Sequence, residues 1–148
     1  MTFVLDRSTA ATVVDDGVYR CATDQRFWNG DAAYGGWLAA VMVAATQVDE
    51  RFRGTLVNQT VQFHRAVRGE SIDVAVSLLE RRRTLDFWSV ICSDPADGAV
   101  VASATMVCGE KPPSETSFNA PPEGFGPQSA GFPLEQRIDE LCLAVSGL

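Results

Sequence analysis

Apolar residues along this chain keep either a helical or a two-residue period up to about residue 109, and lose both beyond it. Residues 18–23 predict a short strand, followed by the turn-prone Trp28-Asn29-Gly30-Asp31. Gly35-Gly36 then opens a helix over about 37–48. Its residues Trp37, Leu38, Ala39, Ala40, Val41, Met42, Val43, Ala44 and Ala45 are apolar nearly all round. A helix without a polar face needs protein on every side. Strands are predicted over 55–67, 71–79, 84–92 and 99–107, and Arg68-Gly69-Glu70 and Asp94-Pro95-Ala96-Asp97-Gly98 supply turn residues between them. The implied class is α+β, with one buried helix wrapped by an antiparallel sheet of about five strands.

Beyond Gly109 the pattern changes. Pro112-Pro113, Pro121-Pro122, Gly124, Gly126, Pro127 and Pro133 mark 110–133 as an extended segment. Leu134, Ile138, Leu141, Cys142 and Val145 recover helical spacing, with Pro133 before them and Gly147 after. The expected organisation is a domain over 1–109, a Pro/Gly-rich connection over 110–133 and a short amphipathic helix over 134–148.

Composition narrows the function. The chain has 148 residues, 46% of them hydrophobic, which suffices for one core without disulfides or a metal. No run reaches the roughly 18 apolar residues of a membrane span, and the first residues do not resemble a secretory signal. With 12 basic and 19 acidic residues the net charge is −7, which argues against nucleic acid as a partner. A local basic pocket for a phosphorylated ligand stays compatible with that balance. Cys21, Cys92, Cys108 and Cys142 show no paired spacing and His64 is the single histidine. Reduced thiols, a cytoplasmic location, no metal site and no cofactor are therefore expected.

Four stretches in sequence order carry a family resemblance: Ala33-Tyr34-Gly35-Gly36-Trp37-Leu38-Ala39-Ala40, Asn58-Gln59-Thr60-Val61-Gln62-Phe63-His64-Arg65, Arg81-Arg82-Arg83-Thr84-Leu85-Asp86-Phe87 and Asp97-Gly98-Ala99-Val100-Val101-Ala102-Ser103-Ala104. Together they resemble the TesB-like acyl-CoA thioesterases, over about residues 18–108. That resemblance implies the hotdog fold, hydrolysis of an acyl-CoA thioester, and the first half of a two-hotdog architecture. Its Pro-rich connection leads to a second hotdog that this sequence does not contain. A homodimer or tetramer is therefore expected to rebuild the two-hotdog unit.

The chemistry of a thioester hydrolase suits the first stretch. Backbone N–H groups at a helix N-terminus lack intrahelical partners and carry partial positive charge. Glycines there admit a carbonyl closely, so Gly36 is the expected oxyanion donor and Gly35 its neighbour; a tight entry turn is the other reading. Tyr34 and Trp37 either flank the acyl chain or pack.

The family's water-positioning Asp, hydroxyl and Gln fall, by resemblance, at Asn58, near Thr84 and at Met106. Asn58 can orient a water but not take its proton, and a methionine offers no useful hydrogen bond, so no general base is identified. The carboxylate nearest this set is Asp86, which by alternation shares a face with Thr84; an ordinary solvent-facing strand side explains the same pattern. His64 lies on the face of Thr60 and Gln62, where a structural role is expected. Arg81, Arg82 and Arg83 suit the phosphates of coenzyme A, or a solvated hairpin end. The competing function is a non-catalytic acyl-CoA-binding or assembly module, supported by Asn58 and Met106 in place of the family's Asp and Gln. A hotdog hydratase lacks its usual Asp/His pair here.

Overall fold

The computed structural model describes residues 3–110. In chain order the elements are α1 (Val4–Ser8), β1 (Ala11–Asp15), β2 (Val18–Ala22), a 3-10 turn (Gln25–Phe27), β3 (Trp28–Asn29), β4 (Ala32–Ala33), α2 (Gly35–Val48), β5 (Thr55–Phe63), β6 (Ser71–Arg81), β7 (Leu85–Ser93) and β8 (Val100–Gly109). Six strands form one sheet in the order β1-β2-β6-β7-β8-β5, and β3 and β4 form a two-residue ribbon before the helix. The pairings are antiparallel throughout. This is the expected hotdog plan, an α+β fold of one long helix held against an antiparallel sheet.

The main sheet has one strand more than expected, and the β3–β4 ribbon adds a further pair. β1 lies at the sheet edge and its residues are exposed or half-exposed, so the inward-outward alternation that announces a strand is missing there. The strand expected over 55–67 stops at Phe63. The N–H groups of His64 and Arg65 both donate to the Val101 carbonyl, which turns the chain out of the ladder.

The core sits between α2 and the sheet. Trp37, Val41, Met42 and Ala45 of the helix meet Val74, Val76, Trp88, Val90, Ala104 and Met106 of the strands, all buried. Burial of each such large apolar side chain contributes roughly 1.5–3 kcal/mol, so this cluster holds the helix in place. Cys21, Cys92 and Cys108 are buried free thiols within it. Burial pushes Cys21 up to about 11 and Cys92 up to about 12, which keeps both protonated and unreactive at neutral pH.

The helix is covered on one side only. Ala39, Ala40, Val43 and Ala44 are half-buried, and Gly36 and Val48 are exposed. The apolar face that the sequence expects to be surrounded is thus bare where the sheet ends. Beside it runs β5, whose outer edge pairs with no strand among the described residues and which exposes Leu56, Val57 and Phe63. Among the described residues, no helix is long and apolar enough to cross a membrane. The connection expected over 110–133 lies, from residue 111 on, outside the described residues, as does the helix expected over 134–148.

Candidate active site

The start of α2 is built by two strand-like hydrogen bonds just ahead of it. Ala33 N–H donates to the Val67 carbonyl at 2.9 Å, and Tyr34 N–H donates to the Phe27 carbonyl at 2.8 Å. Tyr34 is the N-cap and supplies no side-chain cap; the first helical bond runs from Leu38 N–H to the Tyr34 carbonyl at 3.1 Å. The N–H groups of Gly35, Gly36 and Trp37 therefore have no intrahelical acceptor and stand at the positive end of the helix dipole.

What marks both glycines is close approach of an exposed aromatic ring rather than an unusual backbone angle. A Cβ on Gly35 would lie 3.1 Å from Cζ of Phe63, and one on Gly36 would strike the Tyr34 ring. Beside Gly35 a cleft of about 330 Å³ opens, lined by Ala33, Leu38, Phe63, His64, Arg65, Ala66 and Val67. Its floor is Leu38 and Val67, both buried. At its rim His64 Nε2 lies 2.9 Å from Ser103 Oγ, and Arg65 is engaged by Asp97 at 2.9 Å and Asp94 at 3.3 Å.

At the far end of α2 the chemistry is ionic. Asp49 caps the helix, accepts from Arg51 Nε at 2.7 Å and Nη2 at 2.6 Å, and takes the Tyr19 hydroxyl at 3.1 Å. The Arg51 guanidinium holds the Asp49 carboxyl below the usual range against the opposing effect of burial. For Tyr19, burial first and the adjacent Asp49 second push the phenol up to about 12.

Asp86 is fully buried and receives Arg53 through Nε at 3.0 Å and Nη2 at 2.9 Å, and Arg81 through Nε at 3.2 Å and Nη2 at 2.9 Å. Burial pulls its pKa upward, but the bonds from Arg53 and Arg81 together outweigh that, and the carboxyl sits below the usual range. Arg53 also reaches the Arg82 carbonyl and Arg81 the Arg51 carbonyl, so the α2–β5 connection is braced to the β6–β7 hairpin.

The residues singled out in the sequence separate into two groups. Tyr34, Gly35, Gly36 and Trp37 lie in the first turn of α2, where Tyr34 is exposed and Trp37 is in the core. Arg81, Arg82, Arg83, Thr84 and Asp86 lie around the β6–β7 hairpin, beside the start of β5. The 14 residues of α2 separate these ends by about 20 Å. One chain does not bring them together.

Asn58 pairs with Val107 and so faces away from α2, whereas its neighbour Gln59 pairs with the buried Met106 and donates to the Ala39 carbonyl at 3.1 Å. A bulge at Val57 sets this register, and nothing in the local alternation announces it. Asp86 pairs with the buried Cys108 and points inward, the reverse of a solvent-facing strand side; Leu85 and Phe87 take the outer face. Of the three consecutive arginines, Arg81 is bound to Asp86 and Arg82 pairs with Glu80 at 3.2 Å, while Arg83 makes no ion pair among the described residues. Phe63, Leu38 and Val67, which shape the cleft, are missing from the expected site. Phe63 stood in the motif that carried the resemblance, but only the fold shows it against Gly35.

Solved structures share this fold. A hotdog-fold protein of unknown function from Alicyclobacillus acidocaldarius matches at 22% identity with a TM-score of 0.72, over 86% of this chain and 47% of that one. Zebrafish thioesterase superfamily member 2 matches at 23% identity and a TM-score of 0.58, over 72% of this chain and 86% of its own. Protein BH2602 of Bacillus halodurans, solved with CoA, matches at 13% identity and 0.55, over 63% of this chain and 66% of that one. At these identities the likeness establishes the fold, and the chain spans about half the length of the Alicyclobacillus structure. No curated protein matches the chain. The family model described as the acyl-CoA thioesterase N-terminal domain matches residues 24–109, more than half of the sequence, which takes in α2 and four of the six strands of the sheet just described. This chain belongs to the acyl-CoA thioesterase N-terminal domain family.

Proposed function

We propose that this chain hydrolyses an acyl-CoA thioester, in the TesB-like manner, within a two-hotdog unit that a second copy of the chain completes. The observation that carries the reading is the uncapped Tyr34-Gly35-Gly36 start of α2 opening on an apolar cleft. A thioester carbonyl seated there points its oxygen at the free N–H groups of Gly35 and Gly36. Water adds to the carbonyl carbon, the oxyanion is held by those donors, and the C–S bond breaks to give the free acid and the thiol of CoA. The departing sulfur takes the proton that the water gives up. One such donor is worth roughly 3 kcal/mol of transition-state stabilisation.

The two separated ends meet if β5 pairs with β5 of a second copy. Edge strands joined antiparallel about a two-fold axis set the Phe63 end of one copy beside the Thr55 end of the other. The β6–β7 hairpin lies on that second end, so the partner copy brings Thr84, Arg82 and Arg83 toward the cleft. Thr84 then orients the water, and Arg82 and Arg83 take the phosphates of CoA. Asp86 holds Arg81 and the hairpin in place. Asn58 stays on the outer face and is left without a part. The same pairing covers the exposed Leu56 and Val57 and the half-bare side of α2, which supports it on packing grounds.

The deciding experiment follows free thiol release from a panel of acyl-CoAs while native mass is measured. Hydrolysis by a dimer or tetramer is expected. Binding of acyl-CoA without thiol release would replace the enzyme by a non-catalytic acyl-CoA-binding module, and an active monomer would remove the partner-completed site.

A further inference from the structure

We propose that Phe63 sets the length of the acyl group and that this cleft accepts acyl chains up to medium length; the inference rests on the thioesterase reading and specifies its substrate. Phe63 ends β5 and pairs with Ala102, which places its ring on the α2 side of the sheet. Although aromatic, it is 56% exposed. The ring crosses the mouth of the cleft: its Cζ, Cε1 and Cε2 lie 3.1, 3.3 and 3.6 Å from where a Cβ on residue 35 would be. An acyl group whose carbonyl oxygen meets the Gly35 and Gly36 N–H groups therefore runs directly along this ring.

Among the described residues, packing closes the interior. Leu38 and Val67, at 3% and 4% exposure, close the floor. Behind them Trp37, Met42, Trp88 and Met106 are at most 2% exposed and leave no channel between α2 and the sheet. The cleft of about 330 Å³ lies at the small end of the roughly 300–1,000 Å³ that ligand sites span. At roughly 30 Å³ for each small heavy atom it takes about ten of them, so an acyl group of medium length fills it. Phe63 is not part of the packed core, so it can be cut back without opening that core.

The test compares kcat/KM for butyryl-, octanoyl- and palmitoyl-CoA in the wild type, Phe63→Leu and Phe63→Ala, with native mass and far-UV circular dichroism recorded for each. A methylene that finds no room costs about tenfold or more in discrimination, so the wild type is expected to favour octanoyl-CoA strongly over palmitoyl-CoA. Phe63→Ala is expected to raise the palmitoyl-to-octanoyl ratio by about tenfold or more, with Phe63→Leu between. Two outcomes overturn the inference: a wild type that prefers palmitoyl-CoA, or variants in which all substrates slow together at an unchanged ratio. If no acyl-CoA releases thiol, the thioesterase reading fails separately. Phe63 is then judged by calorimetric titration with non-hydrolysable S-alkyl-CoA thioethers of the same lengths. A length preference that moves in Phe63→Ala supports it, and identical preferences in both proteins sink it.

Discussion

The two ends of α2 solve opposite problems with the same helix. At its start, three backbone N–H groups are left without intrahelical partners, two side chains are reduced to hydrogen, and the surroundings are Leu38, Phe63, Ala66 and Val67. At its finish, every buried charge is answered: Asp49 by Arg51 and Tyr19, Asp86 by Arg53 and Arg81. Unsatisfied donors beside an apolar cleft are stabilised when an anion or a developing oxyanion arrives. A carboxylate already holding two arginines has nothing left to offer a ligand. The first end is arranged to react and the second to hold still, so substitutions at the two are expected to register in different measurements.

The largest effect is expected at the reactive end. Gly36→Ala places a methyl group between the helix N–H groups and the substrate carbonyl, and turnover is expected to fall about 100-fold, the scale of losing an oxyanion donor. Stability is expected to move by less than about 1 kcal/mol, because alanine is the better helix former and the exposed Tyr34 ring can swing aside. A matched loss of stability and activity would show that Gly36 serves packing instead.

The bracing end should behave inversely. Asp86→Asn leaves Arg53 and Arg81 facing an amide. Both guanidiniums keep partial access to water, so the expected cost is about 2 kcal/mol rather than the roughly 3–5 of a fully buried broken pair. Urea denaturation reads this directly, and a change within about 0.5 kcal/mol would mean the brace is idle.

Acid exposes the same contrast more gently. Asp49 and Asp86 both ionise below the usual carboxylate range in the folded protein. Their stabilisation is therefore complete above an unfolded carboxylate's pKa of about 3.9 and is lost as pH falls through the lower folded values. The melting temperature is expected to decline from about pH 4 downward, and less steeply in Asp49→Asn and Asp86→Asn. Equal slopes in all three proteins would place the acid-sensitive groups elsewhere.

How much of this was legible beforehand depended on what sets each residue's place. The period of Trp37, Val41, Met42 and Ala45 is a local property, and it gave the buried helix and its N-terminal glycines. The alternating strands gave the sheet, except for β1, whose exposed residues carry no pattern. Asp86 went the other way: Thr84 and Asp86 look like a wet strand face, and only Arg53, 33 residues earlier in the chain, explains why the carboxylate is buried. Phe63 shares this difficulty, since its ring matters through contact with Gly35 and not through its neighbours in sequence. Residues placed by periodicity could be read; residues placed by a distant partner could not.

The smallest expected effect decides whether the two ends meet across copies. Arg82 and Arg83 are exposed, and replacing both with alanine is expected to raise KM for acyl-CoA about tenfold. KM for the matching acyl-pantetheine, which lacks the nucleotide phosphates, should stay put. The difference should shrink in high salt, because exposed charges are screened. If the hairpin serves the cleft of the partner, a mixture of Gly36→Ala chains with Arg82→Ala/Arg83→Ala chains regains activity. Half of the randomly paired dimers then contain one site free of either lesion, about a quarter of all sites. At low substrate the mixture should outrun both parents. If each chain used its own hairpin, every mixed site would carry a lesion and the mixture would fall below the arginine variant. That result would remove the partner's hairpin from the cleft and leave Arg82 and Arg83 to act on substrate within their own chain.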